Sequence, residues 1–261
     1  MSVVEVERRG RAGWLIINRP DVRNALNDEV SAQLGAGLDA FEADPEVRVV
    51  VLAGKGSAFS AGADLNFMKK MKAADRQANQ RDALGLGSLF HRISSLAKPV
   101  VACVNGPALG GGAGLVAAAD IVVAEEGAFF AFSEVRLGLV PAVISPFCLR
   151  RLGPALTRRL FLSAERFNAT QAKAWGFVDE VASGQEALDA AVDAVVGGLC
   201  RGGPQALAEV KTLLDRVVVL DGEEVLEFTA QVIARLRVSE EAEAGMSAFL
   251  DKKPAPWVEE K

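Results

Sequence analysis

Apolar and polar residues alternate from the first positions of the chain, where Val3, Val4 and Val6 are interleaved with Glu5, Glu7 and arginines. A second run, Trp14-Leu15-Ile16-Ile17, follows a turn bounded by Gly10 and Gly13, and the pair predicts a hairpin. After Arg19-Pro20 the period changes. Asn27 can cap a helix whose apolar positions Val30, Leu34, Leu38 and Phe41 fall at helical spacing, with an end near Asp44-Pro45. Residues 47–53 then form a short apolar run that reads as a buried strand. The same order returns at residues 99–104 (strand), 112–119 (short helix) and 121–124 (strand), which predicts an α/β architecture of repeated units. Between them, residues 65–96 read as one long charged helical segment. From Ala142 onward the pattern becomes almost wholly helical, with Ala187, Ala190, Ala191, Ala194, Val195 and Leu199 on one stripe. A break near Gly202-Gly203-Pro204 divides the chain into a core, residues 1–200, and a helical region, residues 201–261. That tail lacks a compact core of its own. Its apolar faces predict either trimer-forming contacts or a tail folded back over its own domain.

Composition narrows the class. At 261 residues and 50% hydrophobic content, the chain can bury a sizeable core. A net charge of −5 argues against nucleic acid or an anionic membrane as the main partner, since both select basic surfaces. Cys103, Cys148 and Cys200 are scattered through apolar stretches without metal-binding spacing, so they read as reduced core residues. His91 is the single histidine, and no metal site is expected. The N-terminus has neither the apolar core of a signal peptide nor transit-peptide character, and no apolar run approaches a membrane span; the expected compartment is the cytoplasm.

Three stretches carry chemistry. Residues 54–65, Gly-Lys-Gly-Ser-Ala-Phe-Ser-Ala-Gly-Ala-Asp-Leu, lie between a strand and a helix, where small residues leave backbone amides open and the helix adds its positive end. Residues 105–114 repeat that arrangement, and Gly110-Gly111-Gly112 remove the Cβ atoms that would keep a ligand from the N–H groups. Paired N–H donors of this kind suit a developing oxyanion. Glu134 follows the apolar residues 128–132, where desolvation raises a carboxyl pKa and fits it for proton transfer. Each feature also has a plainer reading. The glycines serve tight turns, and Glu134 serves as an ion-pair partner of Arg136 or as a helix cap.

Taken together these stretches resemble the crotonase (enoyl-CoA hydratase/isomerase) superfamily over nearly the whole chain. Residues 58–65 are similar to its first oxyanion loop and residues 104–112 to its second. The resemblance implies a spiral of repeated β-β-α units with a C-terminal helical trimerisation region, and an oxyanion hole made by the N–H groups of Ala63 and Gly111. It implies coenzyme A contacts at Arg23, Ala25, Ala61, Asp64 and Leu65. Phe249 and Lys252 match the helix that covers the coenzyme, often from a neighbouring subunit of a homotrimer or dimer of trimers. Coenzyme A enters as part of an acyl-CoA substrate, with no prosthetic group. One departure is plain: hydratases of the family usually carry a second glutamate where this chain has Gly114. Residues 133–147, 162–167 and 233–239 resemble a narrower bacterial subgroup of methylglutaconyl-CoA hydratases. The implied activity is reversible hydration of a branched enoyl-CoA, 3-methylglutaconyl-CoA to 3-hydroxy-3-methylglutaryl-CoA, as in leucine breakdown, with a single-glutamate enoyl-CoA isomerase as the alternative. The relay for the α-proton stays open among Glu134 acting twice, a water, and a distal carboxylate of the substrate. Lys69, Lys70 and Lys72 are candidates to meet such a carboxylate, or else a solvated helix face. Rival readings take Gly112-Ala113-Gly114 with Glu134 as a dinucleotide fingerprint, or Ser60 with His91 as nucleophile and base. A third keeps the thioester pocket for binding without chemistry.

Overall fold

Residues 2–258 are described by a computed structural model. Strands β1 (Val4–Arg9) and β2 (Ala12–Ile17) form the expected hairpin, in antiparallel register from Val4 opposite Ile17 to Arg9 opposite Ala12. Helix α1 (Asp28–Ala43) follows, capped by the Asn27 side chain, which accepts from the Val30 N–H. Strands β3 (Val49–Gly54), β4 (Val100–Val104) and β6 (Ile121–Glu125) then add in parallel beside β2. Strands β2, β3 and β4 are buried at every position, which explains why they read as continuous apolar runs without alternation.

The predicted single helix over 65–96 is two helices. α2 (Leu65–Ala73) ends where Ala74 and Asp75 turn extended, and the Asp75 carboxylate caps α3 (Arg76–Ser95) by accepting from the Ala78 N–H. Asn79 locks the corner by donating to the carbonyls of Met71, Ala74 and Asp75. The reading of the chain beyond Ala142 as almost wholly helical also needs correction. Strands β8 (Phe167–Asn168) and β9 (Glu180–Ala182) interrupt α5 (Ser145–Ser163), α6 (Ala169–Ala174) and α7 (Gln185–Leu199). The second of these strands is the sixth of the main sheet, ordered β1-β2-β3-β4-β6-β9. Strands this short show no usable alternation. A second sheet, ordered β5-β7-β8, joins β5 (Ala108–Leu109) and β7 (Phe129–Ala131) to β8.

One face of the main sheet packs beneath α1, α3, α4 (Gly111–Ala118) and α5, around residues such as Leu15, Phe59, Phe90 and Phe130. The other face is covered by α7 through Leu188 and Val192. Cys103 and Cys148 are buried and Cys200 is half-buried. The tail folds as α8 (Pro204–Val217), α9 (Gly222–Arg237) and α10 (Glu240–Leu250). It is tied to the core where the Lys211 ammonium meets Asp120 at 2.6 Å and where Arg48 donates to the Gly202 carbonyl at 2.7 Å. Val210, Leu214, Leu226 and Ile233 remain exposed on it. Among the described residues no helix is long and apolar enough to cross a membrane.

Candidate active site

The loop after β3 is held by Asn24, a buried residue in the left-handed region (φ 57°). Its amide donates to the carbonyls of Lys55 and Ala58, while the buried Ser60 hydroxyl donates to the Asn24 carbonyl at 2.8 Å. Leu26 then brackets Ala63: its N–H donates to the Gly62 carbonyl and its carbonyl accepts from the Asp64 N–H. In a parallel bridge of that form the N–H of Ala63 faces away from Leu26 and has no acceptor among the described residues. Asp64 starts α2 by accepting from the N–H groups of Asn66 and Phe67, and it pairs with Arg19 at 2.8 Å. Burial opposes its charge, but the Arg19 guanidinium and the two N–H groups win, so its carboxyl lies below the ordinary value. Arg19 also donates to the Ala25 carbonyl.

The second loop lies against the first, with Ser60 exchanging backbone bonds with Pro107 and Leu109. Gly110, at φ 49° and ψ −119°, turns the chain into α4, so Gly111 is its first residue and its N–H is an orphan donor of the helix end. A Cβ at Gly112 would lie 2.5 Å from the Ser60 carbonyl oxygen, so the close approach of the loops requires glycine there.

Glu134 opens a short 3-10 turn (Glu134–Leu137) just beyond β7. One carboxylate oxygen, Oε1, comes within 3.2 Å of where a Cβ would stand on Gly110. The other, Oε2, is buried and has no hydrogen-bond partner among the described residues. Burial pushes this carboxyl above its ordinary value, and a bond from its own backbone only partly offsets that. The ion-pair reading is overturned: Arg136 turns away and donates to the Ala164 carbonyl at 2.9 Å. Ala63, Gly111 and Glu134 line one cavity of about 300 Å³, walled on the apolar side by Leu26, Phe67 and Ile144. A buried carboxyl and two residues whose N–H groups lack acceptors thus line the same space, a set of groups that can receive a charged oxygen and move a proton beside it.

The position of the absent second glutamate is closed. A Cβ built on Gly114 would stand 2.3 Å from Ile144 Cγ2 and 3.2 Å from Phe90 Cζ. Of the expected coenzyme contacts, Arg23 and Leu65 are exposed, Ala61 is half-buried and Ala25 is buried. Arg23 and Ala61 are joined where the Ala61 N–H donates to the Arg23 carbonyl at 2.8 Å, and Asp64 lies in the same loop. Phe249, 81% exposed, and Lys252 end the α10 region and do not line the cavity of their own chain.

Sequence reasoning missed Arg19, Asn24 and Ile144, whose partners lie 45, 34 and 30 residues away and leave no local pattern. It also missed Asp28 and Asp82, which line the cavity's polar wall. Lys69, Lys70 and Lys72 are exposed, and the Lys70 ammonium is bound to Asp28 at 2.7 Å. The nucleophile reading falls with the buried, hydrogen-bonded Ser60 hydroxyl and with His91 exposed on α3. The dinucleotide reading falls because Gly112 and Gly114 are packed against Ser60 and Ile144. Among the described residues no group of three His, Cys, Asp or Glu side chains could hold a metal ion.

Comparison with known proteins identifies the family. The profile of the enoyl-CoA hydratase/isomerase family matches residues 13–260. A 2,3-dehydroadipyl-CoA hydratase of Escherichia coli is 34% identical over 97% of this chain and 97% of its own. A crotonyl-CoA hydratase of Syntrophomonas wolfei is 32% identical over 97% of this chain and 96% of its own. The crystal structure of an enoyl-CoA hydratase from Shewanella pealeana superposes with a TM-score of 0.94 at 35% identity, covering 98% of this chain and 96% of that one. The chain belongs to the enoyl-CoA hydratase/isomerase family, with the crotonase fold.

Proposed function

We propose that the protein reversibly hydrates a β-branched enoyl thioester of coenzyme A, with Glu134 as its acid/base and the Ala63 and Gly111 N–H groups as its oxyanion hole. The observation that carries this reading is that Glu134, whose buried Oε2 has no hydrogen-bond partner among the described residues, lines the same cavity as Ala63 and Gly111. In hydration, the water oxygen bonds to the β-carbon as its proton passes to Glu134. The π electrons move onto the thioester oxygen, where the two N–H groups hold the enolate. Collapse of the enolate then takes the proton from Glu134 to the α-carbon and restores the carboxylate. Filling of the space at Gly114 by Ile144 favours this one-carboxylate cycle over a second glutamate. The same observation supports the alternative, an enoyl-CoA isomerase, because moving a proton along an acyl chain also needs one carboxylate.

In this reading Arg23 and the backbone at Ala25, Ala61, Asp64 and Leu65 hold the coenzyme. Phe249 and Lys252 of a neighbouring copy would cover it in a homotrimer or dimer of trimers, which would also bury the exposed apolar residues of the tail. The branched class has two simple members that differ only in the distal group. 3-Methylglutaconyl-CoA, nominated by the sequence resemblance, ends in a carboxylate; 3-methylcrotonyl-CoA ends in a methyl group. Absorbance at the conjugated-thioester band, read with both of these, with crotonyl-CoA and with a 3-enoyl-CoA, tests the reading. Bleaching of a branched 2-enoyl thioester is the expected result. Turnover of the 3-enoyl thioester alone would move the assignment to the isomerase.

A further inference from the structure

The cavity that Glu134 lines is also lined by the N-terminus of α1 and the middle of α3, and this part of its wall is polar. Asn27, Asp28, Ser31 and Asp82 line it. Two carboxylates, Asp28 and Asp82, thus line the same stretch of the cavity. The countercharge stands outside: Lys70 holds Asp28 at 2.7 Å from an exposed position and does not itself line the cavity. Burial first, and then the charge and hydrogen bond of Asp28, push the Asp82 carboxyl above its ordinary value, with Lys70 opposing. The like-charge part of that rise comes from Asp28, and an incoming anion in the same cavity would meet both carboxylates. The wall belongs to the same cavity that Glu134 lines, so an acyl group bound there shares its space with these carboxylates.

We propose that Asp82, backed by Asp28, sets acyl specificity, favouring branched acyl groups with a neutral or hydrogen-bond-donating end over those that end in a carboxylate. The inference rests on the coenzyme A thioester reading above and narrows it. Two saturated thioesters, isovaleryl-CoA and 3-methylglutaryl-CoA, differ only in the distal carboxylate and cannot be hydrated, so their binding is independent of turnover. Calorimetry with the wild type, Asp82→Asn and Asp28→Asn reads the ratio of the two dissociation constants in each protein, which cancels differences in active fraction. The wild type is expected to bind isovaleryl-CoA more tightly, and Asp82→Asn to narrow the gap about tenfold, the effect of relieving one like-charge contact near the surface. Asp28→Asn should narrow it in the same direction. A wild type that prefers 3-methylglutaryl-CoA, or a ratio that neither variant moves, would overturn the proposal. Binding of neither thioester would sink the coenzyme A reading beneath it. A normal ratio in a protein that turns over no enoyl thioester would count against the hydratase alone.

Discussion

Replacing Glu134 with glutamine is expected to lower enoyl thioester turnover about a thousandfold or more, with thioester binding changed only a few-fold. Glutamine keeps the shape and burial of the side chain and removes its ability to take or give a proton. Since Oε2 has no partner among the described residues, the substitution breaks no hydrogen bond of that oxygen there, and a folding defect is not expected. The sign of the stability change in fact runs the other way. Burial raises the folded-state pKa above its ordinary 4.5, so the ionised carboxylate costs stability above that pH, and the cost is relieved as pH falls. The glutamine variant should therefore melt no lower than the wild type at neutral pH. The rate in the hydration direction needs Glu134 ionised in the free enzyme. It should fall as pH drops through the raised value, with the acid limb of kcat/KM lying above 4.5 and absent from whatever activity the variant retains. Steady-state kinetics across pH, read beside thermal melts of both proteins, separate loss of chemistry from loss of fold.

The second large effect falls on stability. Gly114→Glu would restore the residue type that two-glutamate hydratases carry, yet here it should destabilise the protein by about 3 kcal/mol or more and raise no activity. The new Cβ would stand 2.3 Å from Ile144 Cγ2, and the carboxyl beyond it would enter a helix buried at every position from Gly112 to Ala118. In a chain of this length that loss should lower Tm by roughly 6–12 °C, taking about 2–4 °C per kcal/mol. Ile144→Ala in the same chain makes room for the Cβ, so the double variant should recover part of the Tm lost by the single one. A Gly114→Glu protein that melts with the wild type would show that Ile144 does not hold that space.

What the sequence made legible follows from how local each signal is. The Asn27 cap, the buried strands β2, β3 and β4 and the two glycine loops each announce themselves within about ten residues, through capping chemistry or unbroken apolar runs. Glu134 was legible because a carboxylate follows an apolar strand. Its missing partner was not, since only the packing sends Arg136 to Ala164 instead. The split between α2 and α3 escaped because Asp75 and Asn79 act as a corner through their side chains, while the charged pattern runs on across it. β9 escaped because three residues carry no period; its strand character comes from pairing with β6, more than fifty residues earlier. The polar wall escaped for the same reason, as Asp28 and Asp82 come to line one cavity only when α1 and α3 pack together.

The account turns on one carboxylate serving both carbons from one side of the acyl chain. The most direct measurement is the stereochemistry of hydration in D2O, using a 2-enoyl thioester whose β-carbon becomes a stereocentre, with the deuterium at the α-carbon located by NMR coupling. If Glu134 takes the proton of the attacking water and returns it to the α-carbon, hydroxyl and deuterium arrive on the same face, and the product is a single syn diastereomer. An anti product, or a mixture of the two, would require a proton donor on the opposite face and would contradict the one-carboxylate mechanism.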